Sequence, residues 1–292
     1  MQIGLFLGIN NPILRTTSGG VTPPLDDYTG AESAYSMNRL LRSGYGGSAF
    51  RVRRSSDNSE QDIGFLYGNV DESSITSFIG SDTAYITTIY DQSGNGNNFT
   101  QATASAQGTI ATAGALDKEG GKIALTLTKS NRYDATGHTS GTVQSAYLVT
   151  KGYTLSNKEA IFGVYTTGGG AWIGLYQWST GEIGFNTWNS DVWGFNGDFQ
   201  NRKVYTLLFK NGNPVSSGVV IKVNDSAQSL SQLIGTSTTR TMANGLKLNY
   251  GGTDSITQNA DQKFQELIIY NSDNSANDTG LNTNINDYYG IY

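Results

Sequence analysis

Hydrophobic and polar positions alternate in short segments along most of the chain after residue 80. The apolar members are mainly β-branched or aromatic, and Gly, Asn, Ser and Asp separate the segments, which is typical of strands joined by turns. No repeat period is visible, so we predict an all-β fold, a two-sheet antiparallel sandwich. The predicted strands are 84–90, 122–129, 145–153, 159–166, 171–178, 182–189, 203–210, 218–224, 245–250 and 263–270.

Three segments have helical spacing instead. A capping box at Thr29 and Glu32 predicts a helix that runs to residue 44. A second short helix is predicted over 71–80, with Asp at its N-cap and Gly after its end, and a third over 275–289. These helices are expected at the periphery of the sandwich.

The first 27 residues are punctuated by Gly, Pro and Thr and hold three of the four Pro residues. We predict an extended N-terminal arm over 1–27 and one jelly-roll domain over 28–292. The arm either adds to the sheet edge of a partner or folds back on its own domain. No signal-peptide pattern and no apolar run of about 18 residues is present, so synthesis in the cytoplasm without export is expected. The predicted attachment residues are Ile3, Leu5, Phe6, Leu7 and Ile9.

Composition narrows the chemistry. Only 15% of the residues are charged and the net charge is −5, which argues against nucleic-acid binding. The chain has no Cys and one His. Disulfides, thiolate sites and multi-His metal sites are therefore excluded, and His138 is the one candidate for a catalytic triad.

The block 51–62 concentrates charge in an otherwise neutral chain. Its arginines could bind an acidic sugar or a phosphate. Alternatively, they pair with the carboxylates of Asp57, Glu60, Asp62 or Asp91, and this second interpretation is favoured.

The loop 90–98 is rich in oxygen ligands. Asp91 and Asn95 are weak candidates for binding calcium, but only one side chain of the loop is a carboxylate. A structural turn in which Asp91 accepts backbone N–H groups is favoured. No cofactor is predicted, and a structural calcium ion is the single exception left open.

All four Trp residues lie between positions 172 and 193. If the aliphatic residues of these strands face the core, the aromatic ones form a flat outer surface for stacking on sugars. Burial of the strands on both faces is the alternative. The candidate carbohydrate-binding residues are Trp172, Tyr176, Trp178, Trp188 and Trp193.

Hydrolysis of a glycoside needs two carboxylates a few ångströms apart. Eight carboxylates in the second half of the chain are candidates, and their spacing selects no pair. They are Glu159, Glu182, Asp191, Asp198, Asp225, Asp254, Asp261 and Glu266.

Three stretches, 34–57, 86–97 and 264–289, carry a family resemblance, and the string Tyr-Asp-Gln-Ser-Gly-Asn-Gly-Asn at 90–97 is its most specific part. They resemble the catalytic sandwich of glycoside hydrolase family 54, the α-L-arabinofuranosidase B type. They are even more similar to the concanavalin-A-like (LamG-like) jelly-roll proteins of tailed bacteriophages. The resemblance covers roughly 30–292 and implies a concanavalin-A-like jelly roll.

The enzymatic part of the resemblance is incomplete. The segment 160–168, which matches the region of the family's nucleophilic Glu, contains no carboxylate and no Cys. Asp254, in Gly-Gly-Thr-Asp-Ser, resembles the family's acid/base Asp with an offset of one residue. Because one carboxylate cannot run the retaining reaction, the resemblance favours a binding or structural descendant.

The leading hypothesis is therefore a bacteriophage virion protein: a head fibre, a head-decoration protein or a tail-associated protein that adheres to carbohydrate. Its expected location is the virion, with other virion proteins and bacterial surface glycans as partners and a homo-oligomer, preferably a trimer, as its assembly. An α-L-arabinofuranosidase-like hydrolase is the alternative. A capsid or tail cement protein without a ligand is the third hypothesis.

Overall fold

The computed structural model describes residues 20–153, 159–165, 172–187, 192–237, 239, 241–242, 244–249 and 259–292. The predicted attachment residues Ile3 to Ile9 lie outside them, so the attachment role stays a prediction. Within the described part, no helix is long and apolar enough to cross a membrane.

The first half of the chain forms short strands and two helices. They are α1 (Pro24–Asp27), β1 (Ser33–Ser36), β2 (Phe50–Arg54), β3 (Glu60–Ile63), β4 (Phe65–Leu66), β5 (Asn69–Val70), α2 (Glu72–Ile79), β6 (Ala84–Ile89), β7 (Phe99–Thr100), β8 (Thr109–Thr112), β9 (Ala115–Leu116), β10 (Lys118–Glu119), β11 (Lys122–Ile123), β12 (Leu125–Leu127) and β13 (Tyr133–Ala135). A short 3₁₀ turn covers Ala104–Ala106.

The second half contains the long strands, several short strands and two helices. They are β14 (Val143–Gly152), β15 (Glu159–Tyr165), β16 (Trp172–Ser179), β17 (Glu182–Thr187), β18 (Val192–Asn196), β19 (Lys203–Lys210), α3 (Val215–Gly218), β20 (Val219–Val223), β21 (Ser226–Ala227), β22 (Ser231–Ile234), β23 (Leu246–Leu248), β24 (Gln262–Tyr270) and α4 (Asp278–Tyr289). A 3₁₀ turn, Ser275–Asn277, precedes the last helix.

Two antiparallel layers form the sandwich. In the first layer β14 lies between β24 and β19, and β20 extends it beyond β19. The second layer contains β13, β23, β15, β16, β17, β18 and β22 in that order. The rings of Phe185 in β17 and Phe209 in β19 stack at 4.9 Å between the layers. The prediction of a two-sheet antiparallel sandwich is confirmed.

The first layer is buried on both faces. Ala146 and Leu148 of β14 belong to the main core between the layers. Tyr147 and Val149 of the same strand pack instead against α4, in a second apolar cluster. Alternate residues of a strand point to opposite sides, and four consecutive residues of β14 are apolar. Both of its faces are therefore apolar. The protein therefore has a third, helical layer.

Both later helix predictions are confirmed. Asp71 caps α2 by accepting a hydrogen bond from the backbone N–H of Ser74, and Gly80 follows the last residue. Helix α4 ends at Gly290, which has a positive φ of 62°, a conformation that glycine adopts without strain.

The predicted helix over 29–44 is wrong. Residues 33–36 form strand β1, which pairs with β24, and all four of its residues are buried. Ala34 packs in the cluster around α4 and Tyr35 packs in the main core, so these adjacent apolar residues are buried on opposite faces, and such a pair fits a helix as well as a strand. The last residues of the predicted arm are folded. They form helix α1 at 24–27, and Leu25 is buried in the same apolar cluster as residues of α4.

Most of the charged block forms the β2–β3 hairpin. Arg51 contacts Asp62 at 2.7 Å, and Arg54 contacts Asp57 at 2.6 Å. The interpretation that the arginines pair locally is therefore correct for these two residues. Arg53 has a different environment, described below.

Candidate functional site

Five polar side chains meet where β15 begins and β23 ends, and we call them the polar cluster. Glu159 starts β15, and Gln262 starts β24. Asn249 follows β23, and Asn259 forms a bridge to Ala160. The members of the polar cluster are Lys129, Glu159, Asn249, Asn259 and Gln262.

An ion pair lies at the centre of the polar cluster. Nζ of Lys129 is 2.6 Å from Oε1 of Glu159, whose side chain is only 1% exposed, whereas that of Lys129 is 38% exposed. The pair therefore links a buried carboxylate to the surface. The backbone N–H of Lys129 also donates to Oδ1 of Asp261 at 2.9 Å, so this turn brings a second carboxylate to the site.

Asn249 organises the turn that carries Lys129. Its Nδ2 donates to the backbone oxygens of Thr128 and Asn131, both at 2.9 Å. Its Oδ1 accepts from the N–H of Ala260 and from Nε2 of Gln262. The φ of Asn249 is 59°, and Asn tolerates this left-handed conformation better than most residues. Its side chain thus fixes the turn 128–131 against β24.

An aromatic surface lies beside the ion pair. Ala160 and Tyr176 pack together, and the half-buried Trp178 packs against them. Burial, and next the negative charge of Glu159, raise the pKa of the Tyr176 phenol. Tyr176 therefore stays neutral, and the surface combines a flat apolar ring with a nearby carboxylate.

The predicted carbohydrate-binding residues do not form one surface in the described part. Tyr176 and Trp178 lie on the same face of β16. Trp193 pairs with Phe185 across β17 and β18 and packs against the main core on the other face. Trp188 and the side chain of Trp172 lie outside the described residues.

The structure sorts the eight candidate carboxylates. Glu159 and Asp261 both bind Lys129, as described. Glu266 is buried against Arg39, and Glu182 accepts a hydrogen bond from Ser179. Asp198 and Asp225 pair with Lys203 and Lys222. Asp191 and the weak catalytic candidate Asp254 lie outside the described residues; Asp254 belongs to the stretch that joins Asn249 to Asn259 in the sequence.

Asp91 makes the turn that was favoured for it. Its Oδ1 accepts from the N–H groups of Ala34 and Ser93, and its Oδ2 accepts from the N–H of Asn97 and the hydroxyl of Ser93. Nδ2 of Asn95 donates to the backbone oxygen of Glu32. No group of three His, Cys, Asp or Glu side chains suited to a metal occurs among the described residues.

His138 is enclosed in the interior. Its Nδ1 is 2.9 Å from Oγ of Ser33, and Nε2 of Gln144 lies 3.0 Å from its Nε2. Because Gln144 Nε2 can only donate, the neutral imidazole donates through Nδ1 to Ser33. Burial lowers the pKa of His138 to about 4, against the weaker opposing effects of Glu32 and Asp91. Ser33 is fully buried, so this pair does not form a catalytic triad in this structure.

Sequence reasoning missed four members of the polar cluster: Lys129, Asn249, Asn259 and Gln262. They lie up to 133 positions apart in the chain, and each is an ordinary polar residue by type. The one usable signal was Glu159, an acidic residue at the start of an apolar strand. The partners of such a residue emerge only when the strands are paired.

Comparison with known proteins gives a consistent result. A family model described as alpha-L-arabinofuranosidase B, catalytic, matches residues 26–173, which is half of the chain. A probable alpha-L-arabinofuranosidase B of Aspergillus flavus is 44% identical over 96 residues. Alpha-L-arabinofuranosidase B of Aspergillus oryzae is 45% identical over the same length. Each match covers 31% of this chain and 19% of the relative.

Solved structures show the same fold. A family 54 α-L-arabinofuranosidase soaked with a cyclic sulfate inhibitor has a TM-score of 0.67 at 20% identity, and the match covers 90% of this chain and 65% of that one. An arabinofuranosidase complexed with arabinofuranosyl-α-1,2-xylobiose has a TM-score of 0.66 at 21% identity, covering 90% of this chain and 64% of that one. The chain thus spans slightly less than two thirds of these structures.

The virion hypothesis is wrong. The matching family model is that of the alpha-L-arabinofuranosidase B catalytic domain, and the curated relatives reported above are arabinofuranosidases of Aspergillus species; none of them is a head fibre, decoration or tail protein. The virion partners, the bacterial surface glycans, the predicted trimer and the virion location all followed from the phage resemblance. They are corrected together with it.

Proposed function

Because this chain belongs to the α-L-arabinofuranosidase B catalytic family, we propose that it hydrolyses terminal α-L-arabinofuranosides. The observation that carries the proposal is the family match over residues 26–173, together with 44% identity to an Aspergillus enzyme over 96 residues. The polar cluster and the adjoining aromatic surface form the proposed substrate site.

The carboxylate of Glu159 in the polar cluster and that of Asp261 beside it support this reaction. A glycosidase of the retaining type needs one carboxylic acid and one carboxylate nucleophile on opposite sides of the bond that breaks. Asp254 is the proposed acid/base. Glu159 pairs with Nζ of Lys129 and Asp261 accepts from the backbone N–H of the same residue, and each is tested below as the partner of Asp254.

The direct test is turnover of 4-nitrophenyl α-L-arabinofuranoside by the purified chain, followed by release of nitrophenolate. We expect hydrolysis, and we expect Asp254→Asn to lower kcat about 100-fold, since a positioned general acid contributes at least that much. Glu159→Gln and Asp261→Asn are measured in parallel, and the one that serves as the partner should lose activity to a similar extent.

Asp198→Asn is the matched control, because the Asp198 side chain pairs with Lys203 and accepts from the backbone N–H of Gln200, and among the described residues it contacts no side chain of the polar cluster. Its activity should equal that of the unmodified chain. No turnover by the unmodified chain, with the protein folded and at high concentration, overturns the proposal. Turnover that survives Asp254→Asn unchanged overturns the role of Asp254.

Trp178 is proposed to stack on the sugar ring. Its ring is half-buried against Tyr176 and Ala160, and a fixed aromatic face binds the C–H face of a sugar at little entropic cost. We expect Trp178→Ala to raise KM about tenfold, or about 1.4 kcal/mol. Trp178→Phe keeps a flat ring and should raise KM much less. Equal KM values for all three proteins, measured with the same arabinofuranoside, would remove Trp178 from the site.

A further inference from the structure

A groove of about 430 Å³ runs between the end of β2, β6 and the turn 128–131. Among the described residues that line it, Arg53 is the one charged side chain; Tyr85, Gln107 and several hydroxyl-bearing residues complete the wall. The volume lies within the range of small-molecule sites. It is also many times that of one water molecule, about 30 Å³, so the groove has room for a sugar ring.

Arg53 is held by neutral groups. Its Nε donates to Oε1 of Gln107 at 2.8 Å, and its Nη1 donates to Oδ1 of Asn58 at 2.7 Å. The guanidinium also lies over the ring of Tyr85, 4.7 Å from its centroid. Gln107 is 4% exposed and is itself fixed by a bond from its Nε2 to the backbone oxygen of Gln101. The guanidinium is thus oriented before any ligand arrives.

Arg53 differs from its two neighbours in charge pairing. Arg51 and Arg54 each have a carboxylate within 2.7 Å. Within the described ranges, no carboxylate lies within 4 Å of Arg53, and its Nη2 makes no hydrogen bond. An oriented guanidinium with an unused edge suits a planar carboxylate or a phosphate oxygen.

The rest of the wall favours a sugar over a bare ion. The hydroxyls of Ser55, Ser105 and Ser130 line the groove and make no hydrogen bond to other described residues. Such groups can donate to and accept from sugar hydroxyls. An inorganic ion would use Arg53 and leave most of this wall to water.

The groove also adjoins the polar cluster. Thr128, Ser130 and Asn131 line it, while Lys129 of the same turn pairs with Glu159 on the other side. Asn131 ties the two regions together, because its Nδ2 donates to the backbone oxygen of Gln107 and its own backbone oxygen accepts from Asn249. A polysaccharide bound at the polar cluster therefore has a polar groove beside it.

We propose that this groove binds a uronic acid unit, with Arg53 holding the sugar carboxylate and the serine hydroxyls contacting the ring. The bound glycan would then be an acidic polysaccharide or oligosaccharide. The inference concerns binding alone, so it stands or falls independently of hydrolysis at the polar cluster.

The test compares methyl β-D-glucuronide with methyl β-D-glucoside, which differ in a carboxylate versus a hydroxymethyl group. Binding to the full chain is followed by NMR titration at low ionic strength. We expect the glucuronide to bind at least tenfold more tightly, and Arg53→Gln to remove this preference. Arg53→Lys keeps the charge without the planar fork and should recover only part of it. Arg51→Gln, on the same strand, is the matched control and should bind normally.

Separate titrations with inorganic phosphate and sulfate distinguish a sugar site from a general anion site. Phosphate that binds as tightly as the glucuronide overturns the proposal of a sugar site. Equal binding of glucuronide and glucoside, or an unchanged preference in a folded Arg53→Gln protein, overturns the role of Arg53. Far-UV circular dichroism and a thermal melt establish that each variant is folded.

Discussion

Replacing Glu266 with Gln is expected to lower the free energy of unfolding by about 3–5 kcal/mol, because it leaves the buried guanidinium of Arg39 without its counter-charge. Arg39 and Glu266 are 1% and 0% exposed. They form a bidentate pair, with Nη2 to Oε1 at 2.7 Å and Nε to Oε2 at 2.9 Å. Urea denaturation of the two proteins measures the difference.

Neighbouring polar groups form further hydrogen bonds with both members of this pair. Oε2 of Glu266 also accepts from the hydroxyls of Ser36 and Tyr289, and Nη1 of Arg39 donates to Oδ1 of Asn284. Burial alone would lower the pKa of Arg39, but the charge and hydrogen bonds of Glu266 raise it above its ordinary value. The pair therefore ties β24 to the segment after β1 and to α4.

A double variant separates the pair from its components. Arg39→Met combined with Glu266→Leu removes both charges, and we expect it to cost less than Glu266→Gln alone, since no unpaired charge stays buried. Glu72→Gln is the control, because the Glu72–Lys118 pair is exposed and should contribute no more than about 1 kcal/mol. A loss below about 1 kcal/mol for Glu266→Gln would contradict the prediction.

Lowering the pH from 6.5 to 4 is expected to cost the protein about 3 kcal/mol of stability through His138 alone. Its pKa is about 4 in the folded protein and about 6.5 in an unfolded chain. Between these values the unfolded state binds a proton that the folded state does not, so stability falls as the pH falls. The contribution is complete above pH 6.5 and is lost by about pH 4.

His138 is the only His in the chain, so its imidazole signals in an NMR titration need no assignment. A midpoint near 4 in the folded protein is expected, and a midpoint near 6.5 would contradict the prediction. His138→Gln provides the thermodynamic comparison. The difference in unfolding free energy between the two proteins should shrink by about 3 kcal/mol from pH 7 to pH 4, while the titrating carboxylates contribute equally to both.

The long strands could be predicted because the alternation of apolar and polar residues, and the turn residues at both ends, lie within each strand's own segment of the sequence. The sequence predicts a strand at 203–210, and the structure has β19 at Lys203–Lys210. Strand β24 and helices α2 and α4 lie within a residue or a few of their predicted bounds. The segment around β1 was mistaken for a helix because its apolar residues are covered on both sides, and that covering comes from elements far away in the chain.

The candidate site was predicted only in part. Asp91 and the arginines at 51 and 54 make the local contacts that their sequence neighbours suggested. Trp193 was grouped with Trp178 by proximity along the chain, but pairing of β17 with β18 turns it toward the core. The polar cluster had no sequence signature, since its five members come from four separate segments.

The sequence by itself therefore determined the fold class, the positions of the long strands and a similarity to the α-L-arabinofuranosidase B family, because these depend on periodicity, turn residues and short motifs. The same sequence nevertheless ranked the phage jelly-roll proteins higher than this family. The tertiary structure alone decided which charges are neutralised. Three arginines stand within four positions of one another, yet Arg51 and Arg54 are paired while Arg53 is held by Gln107 and Asn58 beside a groove. That distinction depends on which side chains the folded sheets bring within a few ångströms of each guanidinium, and electrostatic interactions act over that distance rather than along the chain.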